Sequence, residues 1–377
     1  MANIKIITFH SVDNYGAVLQ CVALNQYLKS LGHNVSTIDY RPQYLASANY
    51  YKPVFYTTQY VYQHSKKNNV LKAISAGLRT IWHNVNRATN QAYLKKHKAF
   101  RTFLEDNVSL TKKYKTYEKL KNNPPEADWY IVGSDQLWSY KILNGLDPAY
   151  FLRFGKAKKA AYAISAGTEF NNPQFLTEIS KLTEDFSVIG CRETLLTESI
   201  KKSVKCECRD VLDPVFLLNA TEWERYCKTN SSAEEYVLVY KLGRHDVEFE
   251  ETLDYVRGKY KIVDISPIQT MKSDCYDNTC GPSEFLGYIR NAKIVITDSF
   301  HATAFSLIFQ RKFVSIIHSE KQDRVSDLLK RFDLEDVLVN DMREIEDAVK
   351  ANIDYVKINE AIDISVTTSK KLLEQII

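Results

Sequence analysis

Short apolar runs alternate along this chain with segments whose apolar residues recur every three or four positions. That alternation of strand and helix periods marks an α/β protein built on parallel sheets. Ile4–Phe9 reads as a strand, Ala17–Leu31 as a helix, and Val35–Asp39 as a second strand after the break at Gly32. A long helical and irregular stretch, about 45–123, precedes strands at Trp129–Val132, Ala160–Ser165 and Val188–Cys191. Asp213-Pro214-Val215-Phe216-Leu217-Leu218 closes this half, and polar Thr229-Asn230-Ser231-Ser232 reads as a linker. A second set of strands follows at Tyr236–Tyr240, Lys261–Ile265, Lys293–Thr297 and Phe313–Ile317. The pattern predicts two α/β domains, 1–228 and 233–355, and a terminal helix over 356–377 placed to pack back on the first domain.

Ligands of parallel sheets bind beyond the carboxyl ends of the strands, so the residues just after each run carry the chemistry. The most informative stretch is KIVITDSFHATAFSLIFQ, where the period changes from strand to helix at Thr297-Asp298-Ser299-Phe300-His301. Ser299 is placed to cap the helix, which puts His301 in the first turn, beside backbone N–H groups that favour anions. His301 is therefore either a catalytic group or a polar helix-start residue without chemistry. After the first strand, Asn14, Tyr15 and Gly16 open a helix; Gly16 lets backbone approach a ligand closely, and Asn14 can turn the chain or bond a hydroxyl. After the Trp129 strand, Ser134, Asp135, Gln136 and Trp138 gather a hydroxyl, a carboxylate, an amide and an indole, a mixture suited to a sugar. The alternative there is a polar turn with Trp138 in the core. Arg192 emerges from an apolar strand, so it either pairs with a local acid or waits for an anion. Arg324, after Lys321, either reaches an anion at the interdomain cleft or decorates the next helix.

Composition narrows the class. Apolar residues make up 45% and charged residues 25% of the 377, the balance of a soluble globular protein. No apolar run approaches the roughly 20 residues that span a bilayer, and the first residues carry no secretory pattern, so a cytoplasmic protein with reduced thiols is expected. Cys206-x-Cys208 and Cys275-x4-Cys280 fit no zinc spacing, and no metal is expected. The absence of a G-x-G-x-x-G turn argues against a bound nicotinamide or flavin.

Taken in order, NYGAVLQ, IVGSDQLW, AISAG, the arginine–glutamate pair of GCRET, VLDPVFLL and TDSFHATAFSLIF resemble the polysaccharide pyruvyl transferase family over nearly the whole chain. The resemblance implies two Rossmann-like domains in a GT-B-like arrangement around a central cleft. It also implies phosphoenolpyruvate as donor substrate, no cofactor, and a product in which pyruvate forms a ketal on two hydroxyls of a sugar in a capsular or exopolysaccharide precursor. By the same resemblance His301 would be the general acid and Asp135 would take a hydroxyl proton or orient the sugar. The donor would be held by Arg192, Arg324, Ser299 and Lys321, and the acceptor by Asn14, Tyr15, Gly16, Ser134, Gln136 and Trp138. Other members carry an arginine two residues before the histidine, where this chain has Ser299. Two further readings stay open: a nucleotide-sugar glycosyltransferase, which would need a Gly-rich diphosphate loop that is not found, and a non-catalytic saccharide-binding protein, which would lack an acid such as His301.

One stretch does not serve the sheet pattern. Between Lys66 and Lys121, 14 lysines and arginines stand against Glu105, Asp106 and Glu118, in a chain of net charge +4. Val70, Leu71, Ile74, Leu78, Ile81, Trp82 and Val85 are interleaved at helical spacing. Such a segment is either a basic helix lying on an anionic membrane, near a lipid-linked oligosaccharide acceptor, or a surface helix packed on the core with a solvated charged face. No nucleic-acid recognition motif accompanies the charge.

Overall fold

In the computed structural model, which describes residues 1–47, 70–143, 145–167, 172–228, 234–243, 246–317 and 324–376, the apolar runs become two six-stranded sheets. The first contains β1 (Asn3–Ile7), β2 (Asn34–Thr37), β3 (Trp129–Val132), β4 (Lys158–Ile164), β5 (Phe186–Cys191) and β6 (Glu207–Asp210), in the order β2-β1-β3-β4-β5-β6. The second contains β7 (Tyr236–Tyr240), β8 (Lys261–Asp264), β9 (Cys275–Tyr276), β10 (Ile294–Thr297), β11 (Lys312–Ile316) and β12 (Leu338–Val339), in the order β12-β11-β10-β7-β8-β9. Every pairing is parallel. The central strands β3, β7 and β10 are buried along their whole length, as sheets covered by helices on both faces require. Three edge strands escape the periodicity: β6 is charged at three of its four positions, and β9 and β12 have two residues each. The expected linker at 229–232 lies outside the described residues.

Strand order fixes where a ligand can sit. In the first sheet the chain leaves β1 for β2 on one side and returns to β3 on the other; in the second it leaves β7 for β8 and returns to β10. Loops diverge at these two reversals and open a crevice beyond the strand ends. The first helix, Tyr15–Ser30, begins in one such crevice, capped by Asn14, whose Oδ1 accepts the Ala17 N–H at 3.1 Å. Gly32, at φ +85, provides the left-handed turn that ends it.

The insertion forms helices at Val70–Thr89, Gln91–Asn107 and Tyr117–Asn122. Phe100, Phe103 and Leu104 of the middle one join the core that contains Tyr15 and Phe285. The Val70–Thr89 helix does not pack its large apolar residues on that core: Ala73, Gly77 and Thr80 are its buried residues. Lys66 and Lys67 lie outside the described residues. The last helix, Tyr355–Ile376, begins against the second sheet's core, where Tyr355 Oη donates to the Ser306 carbonyl. It ends with Leu372, Leu373 and Ile376 packed among Ile4, Ile6 and Trp129. No helix among the described residues is long and apolar enough to cross a membrane.

Candidate functional site

The loops at both strand reversals meet around one cleft of about 470 Å³. Asn14 and Gly16 enter it after β1, Asp135 and Gln136 after β3, Tyr240 at the end of β7 and Leu242 just beyond it, Ser299 and His301 after β10, and Arg324 from the start of the Arg324–Arg331 helix. Asp298 ties the β10 loop to the β7 loop by accepting the N–H groups of Leu242 at 2.7 Å and Gly243 at 2.6 Å. Ser299 caps the Phe300–Ile308 helix through its Oγ, which accepts the Ala302 N–H at 3.4 Å.

His301 sits where the two halves touch. A Cβ placed on Gly16 would lie 1.9 Å from His301 Nδ1, so the imidazole occupies the space a side chain there would need. Its Nε2 is buried and points at Asp213 Oδ2, 3.5 Å away, too long for a well-formed hydrogen bond. With Nε2 closed off, Nδ1 is the nitrogen left on the Gly16 side of the cleft. In the sequence Asp213 stands only at the head of an apolar run, yet it is the centre of the buried network. Its Oδ2 accepts from Ser134 Oγ at 2.9 Å and from Arg192 Nη1 at 2.7 Å, and its Oδ1 accepts the Val215 N–H at 3.1 Å. Burial pushes this carboxyl up, but His301, Arg192 and the Val215 amide outweigh it and hold the group below the usual carboxylate range. The available signal was an aspartate inside an apolar run, which has to be paired.

Several expected contacts are relocated. Arg192 does not line the cleft: it is 4% exposed, paired with Asp213 and 3.5 Å from Glu193, with its guanidinium 4.6 Å from the ring of Phe300, which does line it. A buried guanidinium is costly unpaired, so the local-acid alternative applies. Ser134 is fully buried under the same network. Trp138 is a core residue rather than a sugar platform: it is fully buried, stacks on Phe151 at 4.9 Å, and donates from Nε1 to the Tyr150 carbonyl at 3.0 Å. Tyr15 is likewise taken, stacked on Phe285 at 4.2 Å with its Oη donating to the Cys280 carbonyl. Arg324 does line the cleft, with its guanidinium 6.0 Å from the Phe300 ring. Lys321 lies outside the described residues.

Asp135 carries a second signal that the sequence did not show. Its φ is +93, a conformation that costs a non-glycine residue about 1–3 kcal/mol, and such strain gathers at functional sites. At the cleft rim Asp13 meets His97 Nδ1 at 3.0 Å, which connects the inserted Gln91–Asn107 helix to the site. Cys208 Sγ is 3.8 Å from Cys191 Sγ, and among the described residues no group of three or more His, Cys, Asp or Glu side chains could hold a metal ion.

No curated protein matches the chain significantly. Among solved structures, UDP-GlcNAc 2-epimerase from Methanocaldococcus jannaschii is similar at 12% identity and TM-score 0.50, covering 93% of this chain and 92% of that one. The Streptomyces sp. SF2575 glycosyltransferase SsfS6 is similar at 12% identity and TM-score 0.44, covering all of both chains. At such identities the likeness concerns the fold, two parallel α/β sheets in a GT-B-like arrangement. The description that fits the sequence motifs is more specific: a model of the polysaccharide pyruvyl transferase family matches residues 14–320, a span holding every cleft residue named above except Arg324 and Asp13. The chain belongs to the polysaccharide pyruvyl transferase family and is a transferase.

Proposed function

We propose that this enzyme transfers pyruvate from phosphoenolpyruvate to two hydroxyls of one sugar in a surface polysaccharide precursor, a lipid-linked oligosaccharide at the inner face of the membrane. The observation that carries the reading is His301 seated on Gly16 at the cleft, with the buried Asp213 carboxylate behind it. Protonated His301 gives its Nδ1 proton to the methylene carbon of the donor, which becomes a methyl group and leaves an oxocarbenium at C2. One sugar hydroxyl adds to C2, phosphate departs, and the second hydroxyl closes the ketal. Of the two hydroxyl protons released, one replaces the proton spent on carbon and the other leaves with phosphate.

Asp213 stands behind the ring, 3.5 Å from Nε2, so the proton is given from Nδ1 on the other side. Asp135, held in its strained turn, is the base or hydroxyl acceptor on the opposite wall of the cleft. Arg324 and the free amides at the start of the Phe300–Ile308 helix supply the positive potential that a trianionic donor needs. Asn14 and Gln136 are placed for sugar hydroxyls.

The test is phosphate release from phosphoenolpyruvate in the presence of candidate sugar acceptors. His301→Gln should abolish release while phosphoenolpyruvate still raises the melting temperature within a few-fold of the wild-type affinity. A melting-temperature rise with nucleotide sugars and none with phosphoenolpyruvate would sink the proposal.

A further inference from the structure

The large apolar side chains of the Val70–Thr89 helix are on its outside. At roughly 100° per residue, the stripe that runs from Val70 through Ile74 and Leu78 to Trp82 covers an arc of roughly 120°. Leu71, Leu78 and Trp82 are 77%, 63% and 61% exposed. The side that meets the protein is made of small residues, Ala73, Gly77 and Thr80. Scattered exposed leucines need no explanation, but a continuous stripe along one helix marks a surface that something covers.

The charge beside the stripe says what. No aspartate or glutamate occurs from Val70 to Leu104. Exposed Arg79 and Lys72 follow Trp82 around the helix, and exposed Lys95 and Lys98 stand on the next one. We propose that this helix lies in the interface of an anionic lipid bilayer, with the apolar stripe among the acyl chains and the cations at the phosphate headgroups. A second copy of the chain suits the surface poorly, because a two-fold contact would set these cations against themselves without an acid between them. The helix leads directly into Gln91–Asn107, whose His97 bonds Asp13 at the cleft rim, so a membrane-lying helix keeps the cleft beside the lipid surface. The inference concerns where the protein sits and does not rest on the reaction proposed above.

Trp82 supplies its own reporter, since Trp129, Trp138 and Trp223 are all buried. The full chain is mixed at low salt with phosphatidylglycerol vesicles carrying brominated acyl chains, and in parallel with neutral phosphatidylcholine vesicles carrying the same chains. Tryptophan emission should be quenched and the protein should co-sediment with the anionic vesicles, both effects fading as salt rises. Lys72→Glu with Arg79→Glu should lower vesicle affinity by more than about tenfold, and Leu78→Glu should abolish quenching without lowering the melting temperature. Trp82→Phe should remove the quenching signal and keep sedimentation. Equal binding to neutral vesicles overturns the part given to the cations. Absence of quenching and sedimentation at low salt overturns the inference: a dimer dissolved by Leu78→Glu then assigns the stripe to a second copy, and a monomer whose Trp82 emission is already that of a buried indole assigns it to the chain's own residues 48–69.

Discussion

A Gly16→Ala substitution sets a local gain against a clash with the other half of the molecule. In the first helix alanine is favoured over glycine by about 1 kcal/mol, and Gly16 has no left-handed φ to preserve. Yet the new Cβ would lie 1.9 Å from Nδ1, 2.3 Å from Cε1 and 2.5 Å from Cγ of His301. Carbon atoms rest at about 3.5–4.0 Å, so the ring has to retreat by roughly 1.5 Å. Asp213, Ser134 and Arg192 close the side behind Nε2, which leaves only the cleft to retreat into. Overpacking of this kind costs about 1–3 kcal/mol, and a misplacement of an ångström or more at a reacting group costs on the order of 10²-fold in rate. Denaturant unfolding of Gly16→Ala, His301→Ala and the double variant separates the two effects. Alone, Gly16→Ala should destabilise by about 1–3 kcal/mol; on the His301→Ala background it should be neutral or stabilising by up to about 1 kcal/mol. Phosphate release should fall about 10²-fold in Gly16→Ala while phosphoenolpyruvate still raises its melting temperature. A variant as stable and as active as wild type would refute the seating of His301 on Gly16.

Asp213→Asn keeps the shape of the buried network and removes its charge, so unfolding free energy should drop by about 3–5 kcal/mol; a drop below about 1 kcal/mol would mean that Arg192 does not need it. Because the folded Asp213 carboxyl is held below its unfolded value, its contribution is complete above about pH 4 and is lost as the pH falls further. The stability gap between wild type and Asp213→Asn should therefore shrink below about pH 4, and a constant gap would count against the linkage. Trp138→Ala should cost about 3–5 kcal/mol without altering the KM for the sugar, whereas a KM effect at unchanged stability would return Trp138 to the acceptor site. Asp135→Gly relieves a φ of +93 and should leave stability equal or improved by about 1 kcal/mol while turnover collapses; retained turnover would remove Asp135 from the chemistry.

The strands that sequence made legible are those with unbroken apolar runs, such as Trp129–Val132 and Tyr236–Tyr240, because burial on both faces leaves no room for polar residues. Strand β6, charged at Glu207, Arg209 and Asp210, three of its four positions, has no period to read. The same limit applies to the site. A turn after a strand is visible one segment at a time, so His301, Asp135 and Gly16 could each be picked out. Which of their neighbours point into the cleft depends on how the chain turns at each residue. Trp138 lies three residues beyond Asp135, and the intervening turn sends its indole under the strand ends to Phe151. Asp213 is the reverse case, an acid three residues beyond β6 at the start of an apolar run, brought to His301 where the chain crosses between the two halves. The amphipathic pattern of Val70–Thr89 specified a helix correctly and could not say which side faces the protein, since small residues rather than large ones make the contact.

The contact between the halves determines how the site is prepared. Domains joined by small polar interfaces move relative to one another by default, and a large apolar interface suppresses that motion. Here one apolar cluster runs without interruption from Val18, Leu19 and Val22 of the first helix to Phe285, Phe305 and Leu286 of the second sheet's helices. Tyr15 stacks on Phe285 and bonds Cys280 one residue before Gly16, so the backbone that carries Gly16 is pinned to the half that carries His301. A Cβ at Gly287 would sit 2.0 Å from the Lys228 carbonyl, so the chain leading out of the first half is pressed on the Pro282–Asn291 helix as well. The Gly16–His301 contact is consequently a product of folding, present before any substrate arrives. If His301 is the acid proposed above, the entropy of orienting it is not drawn from substrate binding.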